Sequence, residues 1–150
     1  MRTFASPQDL LGEAGADLGH SPWHRIDQSM IDAFADATGD HQWIHVDAER
    51  AAAGPFGATV AHGYLTLALV PQLVREVYAV EGAQMAVNYG LNRVRFPAPL
   101  RSGSSIRARV VIDEATQVGE AVQLTATVTI EIQGEAKPAC VAETVSRFLA

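Results

Sequence analysis

Within Ala121 to Ile132, apolar and polar residues alternate without a break from Val122 onward. Val122, Leu124, Ala126, Val128, Ile130 and Ile132 fall on one side; Gln123, Thr125, Thr127, Thr129 and Glu131 fall on the other. A period of two sends successive side chains to opposite faces of a strand, so this stretch predicts a β-strand with one buried and one wet face. Ile106, Ala108, Val110 and Ile112 alternate in the same way with Ser105, Arg107 and Arg109. Met85, Val87, Tyr89 and Leu91 hold odd positions of another strand, whereas Val94 and Phe96 hold even ones. That slip of phase near Asn92 and Arg93 predicts a β-bulge, which bends a strand and re-aims its side chains. A last strand is expected from Ala139 to Leu149.

The first half of the chain reads as helices and loops. Trp23 to Ile26 is a short strand candidate. Asp27 or Ser29 is placed to cap a helix running to about Thr38, with Met30, Ile31, Phe34 and Ala37 at helical spacing and Gly39 suited to a left-handed end. Asp47 is the expected N-cap of a second short helix, Ala48 to Ala53, before Gly54, Pro55 and Gly57 break the chain. The longest helical candidate runs from Gly63 to about Tyr78. Its start, Tyr64 to Val70, is apolar on nearly every face and so needs cover all round. Pro71 removes one backbone hydrogen bond and should kink it. The pattern predicts an α+β architecture in one domain, residues 1–150: a curved antiparallel sheet wrapped around a long central apolar helix. Such a sheet leaves edges to protect, so a homodimer is expected.

Composition narrows the function classes. With 48% hydrophobic and 19% charged residues, the chain has the balance of a folded globular protein. Its formal charge of −6 argues against nucleic acid as a partner. No apolar run reaches the roughly 18 residues of a membrane span, and the first residues show no signal-peptide pattern. One cysteine, Cys140, cannot make an internal disulfide, which fits a cytoplasmic location; its apolar flanks point to a buried structural thiol.

All five histidines fall within residues 20–62. The densest segment, Thr38-Gly39-Asp40-His41-Gln42-Trp43-Ile44-His45-Val46-Asp47, places Asp40 five positions before His45. A carboxylate and a neutral imidazole facing one pocket can hold a water and move protons near neutral pH. By itself the cluster fits a solvated capping loop equally well. His41 to His45 has the spacing of a zinc-protease H-E-x-x-H, but Gln42 stands where the general base Glu belongs and Gly39 interrupts the helix. No metal is expected.

Phe34-x-x-x-Thr38-Gly39-Asp40-x-x-x-x-His45-x-Asp47, followed by Ala61-His62-Gly63, resembles the MaoC-like dehydratases, which include the (R)-specific enoyl-CoA hydratases. Gln42 and Trp43 replace the Asn and Pro of the usual G-D-x-N-P-x-H core, which is similar to the nodulation-protein-N branch. Phe96-x-x-Pro99-x-x-x-Gly103 resembles the strand and turn that follow the central helix in that family. The resemblance runs from about residue 20 to the C-terminus. It implies a hot-dog fold, with Asp40 and His45 as a catalytic dyad that holds one water against an enoyl-CoA thioester, giving (R)-3-hydroxyacyl-CoA without a metal or redox cofactor. The thioester oxygen would need a donor in the transition state, and Gly63, opening the buried helix, offers its free backbone N–H. A glycine required only for close packing is compatible with that role. His62 is read as a structural or capping residue. Asn92, beside the bulge, either faces the pocket or is a structural amide. Arg93, Arg95, Arg101, Arg107 and Arg109 read as a solvated face, with coenzyme A phosphates as the other candidate partner. An acyl-CoA thioesterase on the same fold and a catalytically silent acyl-thioester-binding subunit are the rival readings.

Overall fold

A computed structural model describes residues 1–149. The strands expected from the period-two patterns form the larger sheet. They are β5 (Met85–Arg95), β6 (Ser105–Val118), β7 (Ala121–Ile132) and β8 (Cys140–Leu149). Two short strands from the first half, β2 (Asp17–His20) and β3 (His24–Arg25), both pair with β6. The sheet order is β2-β6-β7-β8-β5, antiparallel throughout, with β3 also on β6. Burial along β7 follows the sequence pattern: the apolar set from Val122 to Ile132 is buried and the intervening polar residues are half-buried. The slip of phase in β5 is present as two register breaks against β8, between Asn88 and Gly90 and between Leu91 and Arg93.

Three expectations need correction. The first half holds more strand than the candidate at Trp23 to Ile26, which is present as β3: it also supplies β2 and a further strand, β1 (Arg2–Phe4). β1 pairs in parallel with β4 (Tyr78–Val80) as a separate two-stranded ribbon. The central helix is not one piece reaching Tyr78. It consists of α4 (Gly63–Ala68) and α5 (Val70–Arg75), and Tyr78 begins β4. Pro71 lacks the N–H that would bond the Leu67 carbonyl, so the chain breaks at Leu69 and restarts with the proline in the first turn, where no N–H is needed. Lastly, the stripe of α1 (Gln28–Thr38) is completed by buried Ala35, whereas Ala37 is exposed.

Leu65, Val70, Leu73 and Val77 join Val110, Ile112, Leu124, Val128 and Ile130 in one apolar core between the central helices and the sheet. Each such side chain contributes about 1.5–3 kcal/mol by leaving water. Cys140 is among them, and burial pushes its thiol up to about 11, as suits an inert core residue. Cover over the helix is incomplete within one chain: Tyr64 is 73% exposed. On the outer edge, β5 leaves Met85, Val87, Tyr89 and Leu91 exposed. None of the helices among the described residues is long and apolar enough to cross a membrane.

Candidate active site

α1 delivers the chain to the site with both ends fixed. Asp27 caps it by accepting from the Met30 N–H, and Gly39 ends it at φ 77°, a left-handed conformation that a side chain would disfavour. Asp40 follows immediately and is exposed. Its own ties are long: its N–H lies 3.4 Å from the Thr38 hydroxyl, and its Oδ1 lies 3.4 Å from the Gln42 N–H.

His45 sits on the single turn α2 (Trp43–Val46) and is buried. The Val60 N–H donates to the Ile44 carbonyl, and the His45 Nδ1 lies 2.6 Å from the Val60 carbonyl. A carbonyl can only accept, so Nδ1 carries the hydrogen and Nε2 presents its lone pair. Gln28 on α1 donates to the His45 carbonyl at 2.7 Å and accepts from the Thr59 hydroxyl, tying α1, α2 and the 59–60 segment together. Asp47 caps α3 (Ala48–Ala52) by accepting from the Arg50 N–H, which fixes the exit of the segment.

The structure brings Asp40 and His45 together and adds His62. One ligand-type atom of each residue lies within 4.8 Å of the others. The His45 and His62 rings stack with centroids 3.7 Å apart and planes 21° apart. His62 precedes α4 but makes no side-chain capping bond; its Nε2 instead lies 2.9 Å from the Asp40 carbonyl. The capping role therefore falls away, because the imidazole reaches back to the Asp40 loop. Stacked, nearly parallel rings aim their in-plane lone pairs side by side, whereas a zinc site needs them to converge on one point. His41 is outside the cluster, exposed, with Asp36 at 3.8 Å.

Gly63 opens α4, and its N–H has no backbone acceptor among the described residues. A Cβ at this position would stand 3.1 Å from the Phe96 ring, so close packing also accounts for the glycine. Asn92 is not part of the cluster. It is exposed, and its amide donates to Glu143 at 2.8 Å, because the bulge turns it along the outer face of the sheet. The five arginines are dispersed too: Arg107 pairs with Glu131, Arg109 with Asp17 and Arg101 with Glu135, the pattern of a solvated face. Apolar grooves run between the central helices and β5, one of about 380 Å³ lined by Leu67, Pro71, Leu91 and Val145. Neither it nor the neighbouring groove beside Tyr78 is lined by Asp40, His45 or His62.

An apolar helix pair cradled by an antiparallel sheet is the hot-dog fold, and here an aspartate and two histidines gather beside the helix N-terminus. Residues 9–133 match the MaoC like domain, and the chain belongs to the MaoC-like dehydratase family. It is 55% identical over 151 residues, covering all of both chains, to the 3-hydroxyacyl-thioester dehydratase Z of Mycobacterium tuberculosis. It is 44% identical to nodulation protein N of Rhizobium leguminosarum bv. viciae, over 92% of this chain and 88% of that one. Among solved structures, the R-hydratase of Pseudomonas aeruginosa superposes with a TM-score of 0.71 at 23% identity, over 91% of this chain and 82% of that one, which bears on the fold alone.

Proposed function

We propose that the protein is an (R)-specific hydratase acting on trans-2-enoyl-CoA, interconverting it with (R)-3-hydroxyacyl-CoA. The observation that carries this reading is the gathering of the Asp40 carboxylate and the His45 imidazole, held at Nδ1 by the Val60 carbonyl, in one cluster with His62, the residue before Gly63. Hydration needs hydroxyl addition at C3 and a proton at C2. An acid–base pair on one side of the substrate serves both steps with a single water, and the reverse sequence removes that water. Negative charge that gathers on the thioester oxygen finds the Gly63 N–H at the start of the central helix. No metal or redox group enters this chemistry. The full-length similarity to a relative named for dehydrating 3-hydroxyacyl thioesters supports the same class of reaction.

The working form is a homodimer with pockets completed by both chains. Exposed apolar residues along the free edge β5 support this, as does the exposure of Tyr64 on the central helix. Crotonyl-CoA is the test substrate, followed by enoyl absorbance beside a free-thiol assay, with chiral chromatography of the product. Absorbance falls without thiol release, and the product is the (R) alcohol. Thiol release identifies a thioesterase, an (S) product overturns the stereochemistry, and silence in both assays across chain lengths identifies a binding subunit.

A further inference from the structure

His62 takes no part in the proton transfers above, yet it is the most buried member of the cluster, 3% exposed against 6% for His45. Because Nε2 faces the Asp40 backbone carbonyl at 2.9 Å, that nitrogen carries the hydrogen. Nδ1 is then a bare lone pair, buried and without a hydrogen-bond partner among the described residues. In the neutral ring, the hydrogen on Nε2 leaves none on Nδ1. One face of that ring lies against His45, and Phe34 adds a second ring contact at 4.9 Å. Buried polar atoms left unpaired are uncommon in folded proteins and call for a reason.

The reason lies in what His62 does for its neighbours. Asp40 follows a left-handed glycine, is exposed, and is otherwise held only by two contacts of 3.4 Å. The bond from His62 is the short one. His45 is tethered at Nδ1, and the His62 ring stacks on it. We propose that His62 is a positioning residue for the Asp40–His45 pair: its Nε2–H holds the Asp40 backbone in place beside the tethered His45 ring. This inference rests on the hydration reading above.

Two substitutions separate positioning from bulk structure. His62→Gln places an amide N–H where Nε2 stood, while His62→Asn reaches only as far as Nδ1. Both remove the ring, so thermal unfolding should fall to similar temperatures. With crotonyl-CoA, His62→Gln should keep kcat within roughly fivefold of wild type, and His62→Asn should lose roughly tenfold to a hundredfold at nearly unchanged KM, the scale of a misplaced catalytic group. Equal kcat in the two variants, high or low, overturns the proposal. A second measurement uses the unaltered protein: long-range proton–nitrogen NMR of the imidazoles should show Nε2–H on His62 and Nδ1–H on His45. Nδ1–H on His62 overturns the tie to Asp40 whatever the kinetics. Absence of any turnover by the wild type overturns the hydration reading instead, and the NMR then decides the His62–Asp40 tie by itself.

Discussion

β7 and the segment from Asp40 to Thr66 stand on opposite terms with the core. The strand buries an unbroken apolar set and leaves its polar residues at the wetter face. The segment does the reverse: of the five buried polar residues among those described, His45, Thr59, His62 and Thr66 lie within it, and Ser21 is the exception. Burying an imidazole costs stability unless its polar atoms are paired, and here the pairing leaves a lone pair free at His45 Nε2 and another at His62 Nδ1. One region stabilises; on the proposed hydration reading, the other gives up stability to keep proton-accepting atoms where they can act. Mutation should therefore separate activity from stability along this line.

The largest effect is expected at the segment. Asp40→Asn and His45→Gln should each lower turnover by at least roughly 10²-fold, the low end for one positioned acid–base group, and Asp40→Asn, at an exposed residue, should do so with little change in the unfolding temperature. Since the two are assigned to one water, the double variant should lose far less than the product of the single losses. A folded single variant with near-native turnover would falsify the dyad assignment. The opposite outcome is expected in β7. Ile130 is fully buried, and Ile130→Ala should cost about 2–5 kcal/mol in denaturant unfolding while the kcat of the folded fraction stays close to wild type. Loss of kcat without loss of stability there would erase the distinction.

A third expectation concerns β5, which reads in sequence much like β7 but occupies the sheet edge. Its apolar residues are exposed because β8 covers only one side of it. On the dimer proposal, Tyr89→Asp should convert a dimer into a monomer by light scattering at low micromolar concentration. Hydration should disappear while the far-UV circular dichroism of the sheet persists, because the pocket loses walls and the strands do not. A fully active monomer, wild-type or variant, refutes the shared pocket.

How far the sequence went follows the same division. Strong local signals were readable: the alternation of β6 and β7, the phase slip in β5, Asp47 as a cap and Asp27 as one of two cap candidates, and Gly39 as the left-handed end. That Asp40 and His45 share one cluster agrees with what the resemblance implies, whereas their spacing alone fitted a capping loop equally well. Features made by distant pairing were not readable. β1 and β4 are three residues each and parallel, with no periodicity to betray a partner 76 positions away. His62 was read only as a structural or capping residue because it precedes a helix; the folding of the 59–62 segment against α2 is what stacks it on His45. Asn92 was left between two readings for the complementary reason, since a phase slip shows that a strand bends without showing which way its side chains turn.

The smallest effects are expected from two exposed carboxylates, one on each side of the comparison. Asp27 caps the helix that leads to the site, and the Ser29 hydroxyl and then the Met30 N–H hold its carboxyl below the usual value of 3.8. Asp17 on β2 serves the sheet, and its bond from Arg109 and then the Gly19 N–H lower it likewise. A carboxyl whose folded value is depressed adds stability that is present above its unfolded value and is lost as pH falls through the folded one. Asp27→Ala and Asp17→Ala should thus be less stable than wild type near neutral pH, with both differences shrinking below about pH 4. Salt tells the two apart. The Asp17–Arg109 pair is a solvent-exposed ion pair, so 1 M salt, with a screening length of about 3 Å, should diminish its difference. The Asp27 carboxylate bonds uncharged donors, so its difference should largely survive that salt concentration. Equal salt sensitivity of the two variants would show that the cap acts through long-range charge and not through the two bonds at the start of α1.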